Sequence, residues 1–423
     1  VGLFGLAVRI LDARVFIVPG SSSDYALGVS KTGLLEDLRT LSQQPGNNFP
    51  SVLIIDRLLL WHCVRALVPL QLLQDFVSWS DLKPKQLQKY YRFSNTVLNH
   101  FKNKYDPKYF FESNWIYSMT RRWQPLIESL GIRHICILKE GIPIPFYYKL
   151  LAKHKSVLGS YQGSLIFFIN KSYAELHLQL GMVRESQVCV SGMARFDQLL
   201  EPERLNLFHQ NTATWVSDSK KKILFFVPDF PDFDPSELEA KEMRYFLLDL
   251  INKCCLEFIE VARSNPTLDF VIKTKVTKLT SLHVETIIAR NSSTLPSNVH
   301  VASGGLAKTI LSNSNLALGF HSTALLDAIS MKIPIASPKS YYNQEVSADF
   351  IFDLRDISLI YSNSTELQDL VSRFSSEDQV RGHISSMNRQ ISETLLRTVG
   401  NNDSHASTRI LNALESINTD GKA

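Results

Sequence analysis

The sequence is short of the features that would assign it at a glance. Its five cysteines, Cys63, Cys136, Cys189, Cys254 and Cys255, are odd in number, show no CxxC spacing and lie mostly in apolar runs. That argues against a disulfide framework or a zinc site and for a reducing compartment. No apolar run reaches the length of a membrane-spanning helix. Arg9, Asp12 and Arg14 interrupt the apolar start, and no basic stretch precedes it as in a secretion signal. The chain does not begin with Met, which reads as a fragment or a processed form. There is no GxxxxGKS loop, no GxGxxG fingerprint, no HExxH and no GxSxG, which excludes the P-loop NTPases, the fingerprint dehydrogenases, the zincins and the elbow hydrolases. Asp229, Asp232 and Asp234 are scattered among Pro and Phe and read as a loop, so no metal site is expected. No repeat or low-complexity segment is present.

What is present is enough chain for two or three domains, with 44% hydrophobic residues, an ordinary value for a globular protein. Charge is unevenly placed. Residues 1–210 carry 24 Lys and Arg against 16 Asp and Glu, and the remainder 21 against 25. A basic front half suits an anionic partner such as a phosphorylated acceptor, an acidic glycan or an anionic membrane face, and it equally suits plain solvated surface charge.

Strand-like runs alternate with helical ones, the pattern of a mostly parallel α/β sheet. Expected strands include 14–18, 51–55, 109–112, 134–138, 165–169 and 187–190. Expected helices include a long region near 67–105 and a second at 116–130 ending on Gly131. Polar residues 211–222 read as a linker, after which the pattern restarts: strands at 223–227, 270–273 and 300–302, and helices at 238–263, 306–313, 366–371, 379–397 and 406–417. Two α/β halves joined near residue 215 give the expected division into 1–213, 221–400 and a terminal helix and tail at 401–423.

The most informative stretch is Leu316–Pro338, LALGFHSTALLDAISMKIPIASP. A strand ends on Gly319, Ser322 and Thr323 open a helix, and Asp327 follows Thr323 by one turn. Free N–H groups and hydroxyls at a helix start bind anions, and an acidic residue one turn on can hold ribose hydroxyls. The alternative is an ordinary N-cap. His321 stands beside this pair as a phosphate or acceptor contact, or as a structural histidine. Four further elements each lie at or just after the end of an expected strand. Lys139-Glu140-Gly141 offers Glu140 as a general base beside Lys139, or a surface pair in a turn. Val190-Ser191-Gly192-Met193-Ala194-Arg195-Phe196-Asp197 offers Gly192 for close backbone approach and Arg195 for a bidentate phosphate contact, or an Arg195–Asp197 tie at a hinge. Phe270–Lys275 places Lys273 and Lys275 on one side of a strand end, where Lys273 could neutralise a departing diphosphate. Ser303 and Gly304, in Ala302-Ser303-Gly304-Gly305, could lie flat against a base.

These elements resemble the GT-B-type glycosyltransferases, in particular the surface-carbohydrate and CDP-glycerol glycerophosphotransferase-like group. Those proteins share a "G-x-x-S-T, acidic, A, then small-x-P" run, a "V-x-G-x-x-R-x-D" element and a "K-E-G" loop. Three departures stand out: Asp327 replaces the commoner Glu, Ala194 replaces Pro, and no His-Pro pair follows Lys273. The resemblance covers about residues 109–340 and leaves 1–108 unassigned.

It implies an α/β fold of two Rossmann-like domains facing across a cleft, with a C-terminal helix crossing back. It implies a metal-independent transferase that moves a sugar or polyol phosphate from a nucleotide-sugar or CDP-polyol donor to a glycan or lipid-linked acceptor in cell-envelope polysaccharide biosynthesis. In that reading Glu140 and Lys273 are catalytic. Gly319, His321, Ser322, Thr323, Asp327, Ser303 and Gly304 hold the donor, and Lys139, Gly192 and Arg195 line the cleft or hinge. No cofactor and no nucleic acid are expected. The expected location is cytoplasmic, with peripheral contact at the inner membrane face. Two alternatives are a UDP-N-acetylglucosamine 2-epimerase-like enzyme, which lacks support from any His-x-Gly-Asp-Arg-type segment, and a non-catalytic nucleotide- or glycan-binding component of an assembly complex.

Overall fold

The computed structural model describes residues 3–73, 82–138, 144–199, 221–228, 238–275, 278–291, 295–303, 307–342 and 352–419. Contacts divide the chain into two units. One comprises residues 1–143, 147–198 and 396–423, the other residues 144–146 and 199–395.

The first unit is built on a seven-stranded sheet. In chain order its strands are β1 (Phe16–Val18), β2 (Tyr25–Val29), β3 (Ser51–Ile55), β4 (Tyr109–Glu112), β5 (Arg133–Ile137), β6 (Leu165–Phe168) and β7 (Val188–Val190). Their spatial order is β1-β3-β2-β4-β5-β6-β7, with β1 antiparallel to β3 and every other pair parallel. Strands such as Ser51–Ile55 and Leu165–Phe168 read as unbroken apolar runs because helices cover the sheet on both faces. The helix Pro84–Tyr105 shows how one cover forms. Pro84 occupies its first turn, where a missing N–H costs nothing, and Tyr90, Phe93, Val97, Leu98 and Phe101 make its buried stripe. The order β3-β2-β4 reverses direction between β2 and β4, so the switch point of this sheet lies at their carboxyl ends.

The C-terminal helix Ala406–Thr419 belongs to the first unit. Asp197 caps it, accepting hydrogen bonds from the Ala406 and Ser407 backbone N–H at 3.1 and 2.7 Å. Ile410 and Leu414 then enter the core beside Ala194 and Val18. The expected return of the terminal helix is therefore present.

The second unit is a six-stranded, wholly parallel sheet of β8 (Lys222–Phe226), β9 (Asp269–Thr274), β10 (Val299–Ser303), β11 (Ser314–Gly319), β12 (Ile335–Pro338) and β13 (Ser358–Tyr361). The order β10-β9-β8-β11-β12-β13 is the doubly wound order of dinucleotide folds, with its switch point between β8 and β11. The helix Leu238–Arg263 packs Cys254, Cys255, Phe258 and Ala262 into this core. The Phe258 ring meets Phe225 at 5.8 Å and Phe270 at 5.1 Å.

Several elements differ from the sequence reading. The strand β2 is not among the expected strands because Gly28 interrupts its apolar pattern. In the sheet, a Cβ at Gly28 would come within 3.1 Å of Ile54 Cδ1, so close packing explains the glycine. The expected helix at 116–130 is confined to Gln124–Ser129 after a 3-10 turn at Arg121–Trp123. Pro125 supplies the reason, since proline favours a helix's first turn and disfavours helical backbone before it. The helix expected over 379–397 is two, Glu377–Ser386 and Asn388–Val399, broken at Met387. Among the described residues, the region 67–105 holds a 3-10 turn, Leu70–Leu73, and the helix Pro84–Tyr105, one following a proline and the other opening on one. The edge strand β13 is likewise absent from the expected pattern. No helix among the described residues is long and apolar enough to cross a membrane.

Candidate functional site

The carboxyl ends of β9, β10 and β11 gather most of the residues singled out from the sequence. One rung of the sheet runs from Gly319 to Phe226, to Lys273, to Ala302, and the next pairs Thr274 with Ser303. Lys273 and Gly319 are thus two strand spacings apart, about 10 Å. The chain leaves β11 through Phe320, His321, Ser322 and Thr323 into the helix Ala324–Ser330. This exit lies at the switch point between β8 and β11, where doubly wound sheets bind ligands.

Local sequence explains the geometry. A Cβ on Gly319 would lie 3.1 Å from the Phe226 carbonyl and 3.2 Å from Leu325 Cδ2, so glycine lets the following helix close onto β8. The Ser337 hydroxyl donates to the Gly319 carbonyl at 2.8 Å and anchors the strand end. His321 adopts a positive φ of 49°, uncommon outside glycine and strained unless held. Tyr341 holds it. The Phe352 N–H donates to the Tyr341 hydroxyl at 2.9 Å, and that hydroxyl, 3.2 Å from His321 Nδ1, has its own proton left to give. With that hydroxyl donating to Nδ1, the ring proton stands on Nε2, which is then a donor.

Basic groups crowd this edge. Lys273 is 8% exposed and donates to the Thr274 carbonyl at 2.7 Å. Burial, and then repulsion from Lys275, lowers its pKa to about 8. His321 is lowered to about 4, first by burial and then by Lys275, and is neutral at working pH. Three nitrogen bases therefore converge where two are held below their ordinary basicity, an arrangement that an anion would relieve.

The helix opening carries less than the motif suggests. The helix Ala324–Ser330 has only seven residues, so its dipole is weak. Thr323 is its N-cap and makes no side-chain cap bond. Ser322 and Thr323 close the first turn through their carbonyls, to Leu325 N at 3.3 Å and Leu326 N at 3.0 Å. Asp327 follows one turn later on the same helix. The donors an anion could use here are discrete groups: Lys273, Lys275, His321 Nε2 and the Thr323 hydroxyl.

Gly192 and Arg195 belong to the first unit. Gly192 has φ 82°, and a Cβ there would stand 2.9 Å from the Asn401 carbonyl, so the glycine makes room for the returning chain. The Arg195 guanidinium pairs with the buried Asp37 at 3.0 Å while its backbone N–H reaches the same carboxylate at 2.9 Å. Asp197 caps the terminal helix, and Arg195 pairs with Asp37, so the Arg195–Asp197 tie offered as one alternative is not the contact made. Lys139, Glu140 and Gly304 lie outside the described residues. Tyr341, which orients His321 from 20 residues away, leaves no local signal in the sequence.

No family model matches this chain, and no curated protein matches it significantly. Solved structures do resemble it. A putative UDP-N-acetylglucosamine 2-epimerase from Listeria monocytogenes aligns over 94% of this chain and 97% of its own, with TM-score 0.55 and 12% identity. The S. aureus MnaA structure with UDP aligns over 94% and 97%, with TM-score 0.52 and 12% identity. At that identity the likeness concerns the fold: two Rossmann-like α/β units of the GT-B type.

Proposed function

We propose that this chain uses a nucleotide-activated sugar or polyol, holding the donor's diphosphate at the carboxyl edge of its second sheet. The observation that carries this is the convergence of Lys273, Lys275 and neutral His321 at the switch point between β8 and β11. A diphosphate takes up the positive charge of the lysines, accepts from His321 Nε2 and from the Thr323 hydroxyl, and leaves Asp327 for the ribose. UDP in the S. aureus MnaA structure supports a nucleotide of this kind on this fold.

The reaction we favour is transfer to a cell-surface glycan or lipid-linked acceptor, with the CDP-glycerol transferase-like group as the finer assignment. Lys273 stabilises the charge developing on the leaving phosphate, and Glu140 takes the acceptor hydroxyl proton. Gly192 and Arg195 serve as supports of the first unit's fold. A second reading, epimerisation of a nucleotide sugar, has the likeness to the putative epimerase from Listeria monocytogenes in its favour.

Incubation with UDP-N-acetylglucosamine, UDP-glucose or CDP-glycerol, each with and without acceptor glycans, tests both. Acceptor-dependent release of nucleotide supports transfer. Conversion of UDP-N-acetylglucosamine without acceptor supports the epimerase. Failure of folded protein to bind any member of a CMP, CDP, UDP and GDP panel removes the donor site itself.

A further inference from the structure

The helix Leu3–Ala13 is apolar on two sides, and the first unit covers one of them. That side packs along the helix Pro84–Tyr105. The Phe4 and Phe93 rings meet at 5.9 Å, and Val8 and Leu11 are buried in the same core as Phe93 and Val97. At the far end Asp12 accepts from Lys104 at 2.6 Å and from the Tyr105 hydroxyl at 2.9 Å, with His100 Nε2 at 3.1 Å. The other side turns Leu3, Leu6 and Ile10 to solvent, 80%, 53% and 44% exposed. Their spacing of three and four residues sets them in one stripe. Arg9 borders the stripe and Arg14 follows the helix end, both exposed. Leu3 also opens onto a cavity of about 420 Å³, which it shares with Phe4, Ala66, Leu67, Gln86 and Lys89. On the helix Pro84–Tyr105, Lys85, Lys89 and Arg92 are exposed and repeat at four and three residues. They make a basic ridge whose middle member lines that cavity.

A row of large aliphatic side chains on the outer face of a surface helix marks a face that is covered in use. Charge says by what. The helices Leu3–Ala13, Arg57–Arg65 and Pro84–Tyr105 carry eight Lys and Arg against one acidic residue, Asp12, which Lys104 and His100 hold. A second copy on this face would set Arg9, Lys85, Lys89 and Arg92 against their own like charges. An anionic bilayer suits both features at once. The apolar stripe enters the acyl boundary, while the long basic side chains beside it reach the phosphate headgroups. We propose that the outer face of the helix Leu3–Ala13, with the ridge of Lys85, Lys89 and Arg92, docks the chain on an anionic lipid surface. The docking rests on neither the donor site nor the transferase reading, and it adds to the latter the surface on which a lipid-linked acceptor is met.

Co-sedimentation of the full chain with vesicles tests this, using phosphatidylcholine alone and equal parts phosphatidylcholine and phosphatidylglycerol, at low and high salt. One variant joins Leu3→Gln, Leu6→Gln and Ile10→Gln, a second joins Lys85→Gln, Lys89→Gln and Arg92→Gln, and a third is Lys273→Met. Circular dichroism checks the folding of each. The expected result is binding to the anionic vesicles at least roughly tenfold tighter than to the neutral ones, weakened by salt. The apolar triple change lowers it about a hundredfold, the basic triple change at least about tenfold, and Lys273→Met leaves it unchanged. Equal binding to both vesicles, or no binding by folded protein, overturns the proposal. So does binding that survives the apolar triple change. Dimerisation in light scattering that this change abolishes, with no vesicle binding by the parent, assigns the face to a second copy and overturns it as well. UDP titrated into the same samples reads the donor site separately: UDP binding lost in Lys273→Met and kept in both triple variants shows that the two sites act independently.

Discussion

Lys273 gives the sharpest test of the donor site. Burial and the neighbouring Lys275 bring its pKa from 10.5 to about 8. Holding the charged form there costs on the order of 3 kcal/mol relative to water. Below pH 8 both folded and unfolded chains carry the proton, so the cost is fully present. Between pH 8 and about 10.5 the folded chain releases its proton first, and stability rises with pH. A bound diphosphate reverses the balance by favouring the ammonium. At pH 8 about half of the free protein has lost this proton, so nucleotide binding there takes up about half a proton. At about pH 6.5 the uptake by Lys273 is close to zero, and well above pH 8 the apparent affinity falls by roughly tenfold per unit. Titration of UDP in buffers of different ionisation enthalpy measures the uptake directly. His321, neutral throughout, contributes none unless the ligand protonates it. Zero uptake at pH 8, or a Lys273→Met protein that binds UDP as tightly as the parent with the same pH profile, would refute the assignment of Lys273 to the phosphate.

Two predictions concern the scaffold. Arg195→Ala removes the guanidinium paired with the carboxylate of Asp37, 1% exposed, and is expected to cost about 3 kcal/mol of first-unit stability in denaturant unfolding; an unchanged midpoint would show that the pair contributes little. Phe258→Ala removes a ring packed between Phe225 and Phe270 and is expected to cost about 3–5 kcal/mol, read as a lowered urea midpoint with unchanged slope.

Periodicity makes much of the architecture legible in the chain itself. The strands at 51–55 and 109–112 and the helix at 238–263 stand where the apolar pattern puts them, because each buries its own sequence-local face. The Gly319-to-Thr323 exit is readable for the same reason: glycine, hydroxyls and a helix start are neighbours along the chain. Elements whose form depends on distant packing are not. Gly28 sits inside β2 where Ile54 packs tightly over it, and Arg195 faces Asp37 while Asp197 caps the terminal helix.

By itself the sequence determined the alternation of strands and helices, the restart of that pattern past residue 220, and the run of residues leaving β11. Tertiary structure alone decided the strand orders, and with them the two switch points. It alone set Tyr341 against His321, brought Lys275 to bear on Lys273 and His321, and laid Lys31 and Arg57 on the Tyr117 ring. The physical reason is that hydrophobic burial repeats every two or 3.6 residues and can be read along a chain. Electrostatic and hydrogen-bonded partners act through space, and their separation in sequence, 20 residues for His321 and Tyr341 and 60 for Arg57 and Tyr117, leaves no period to detect.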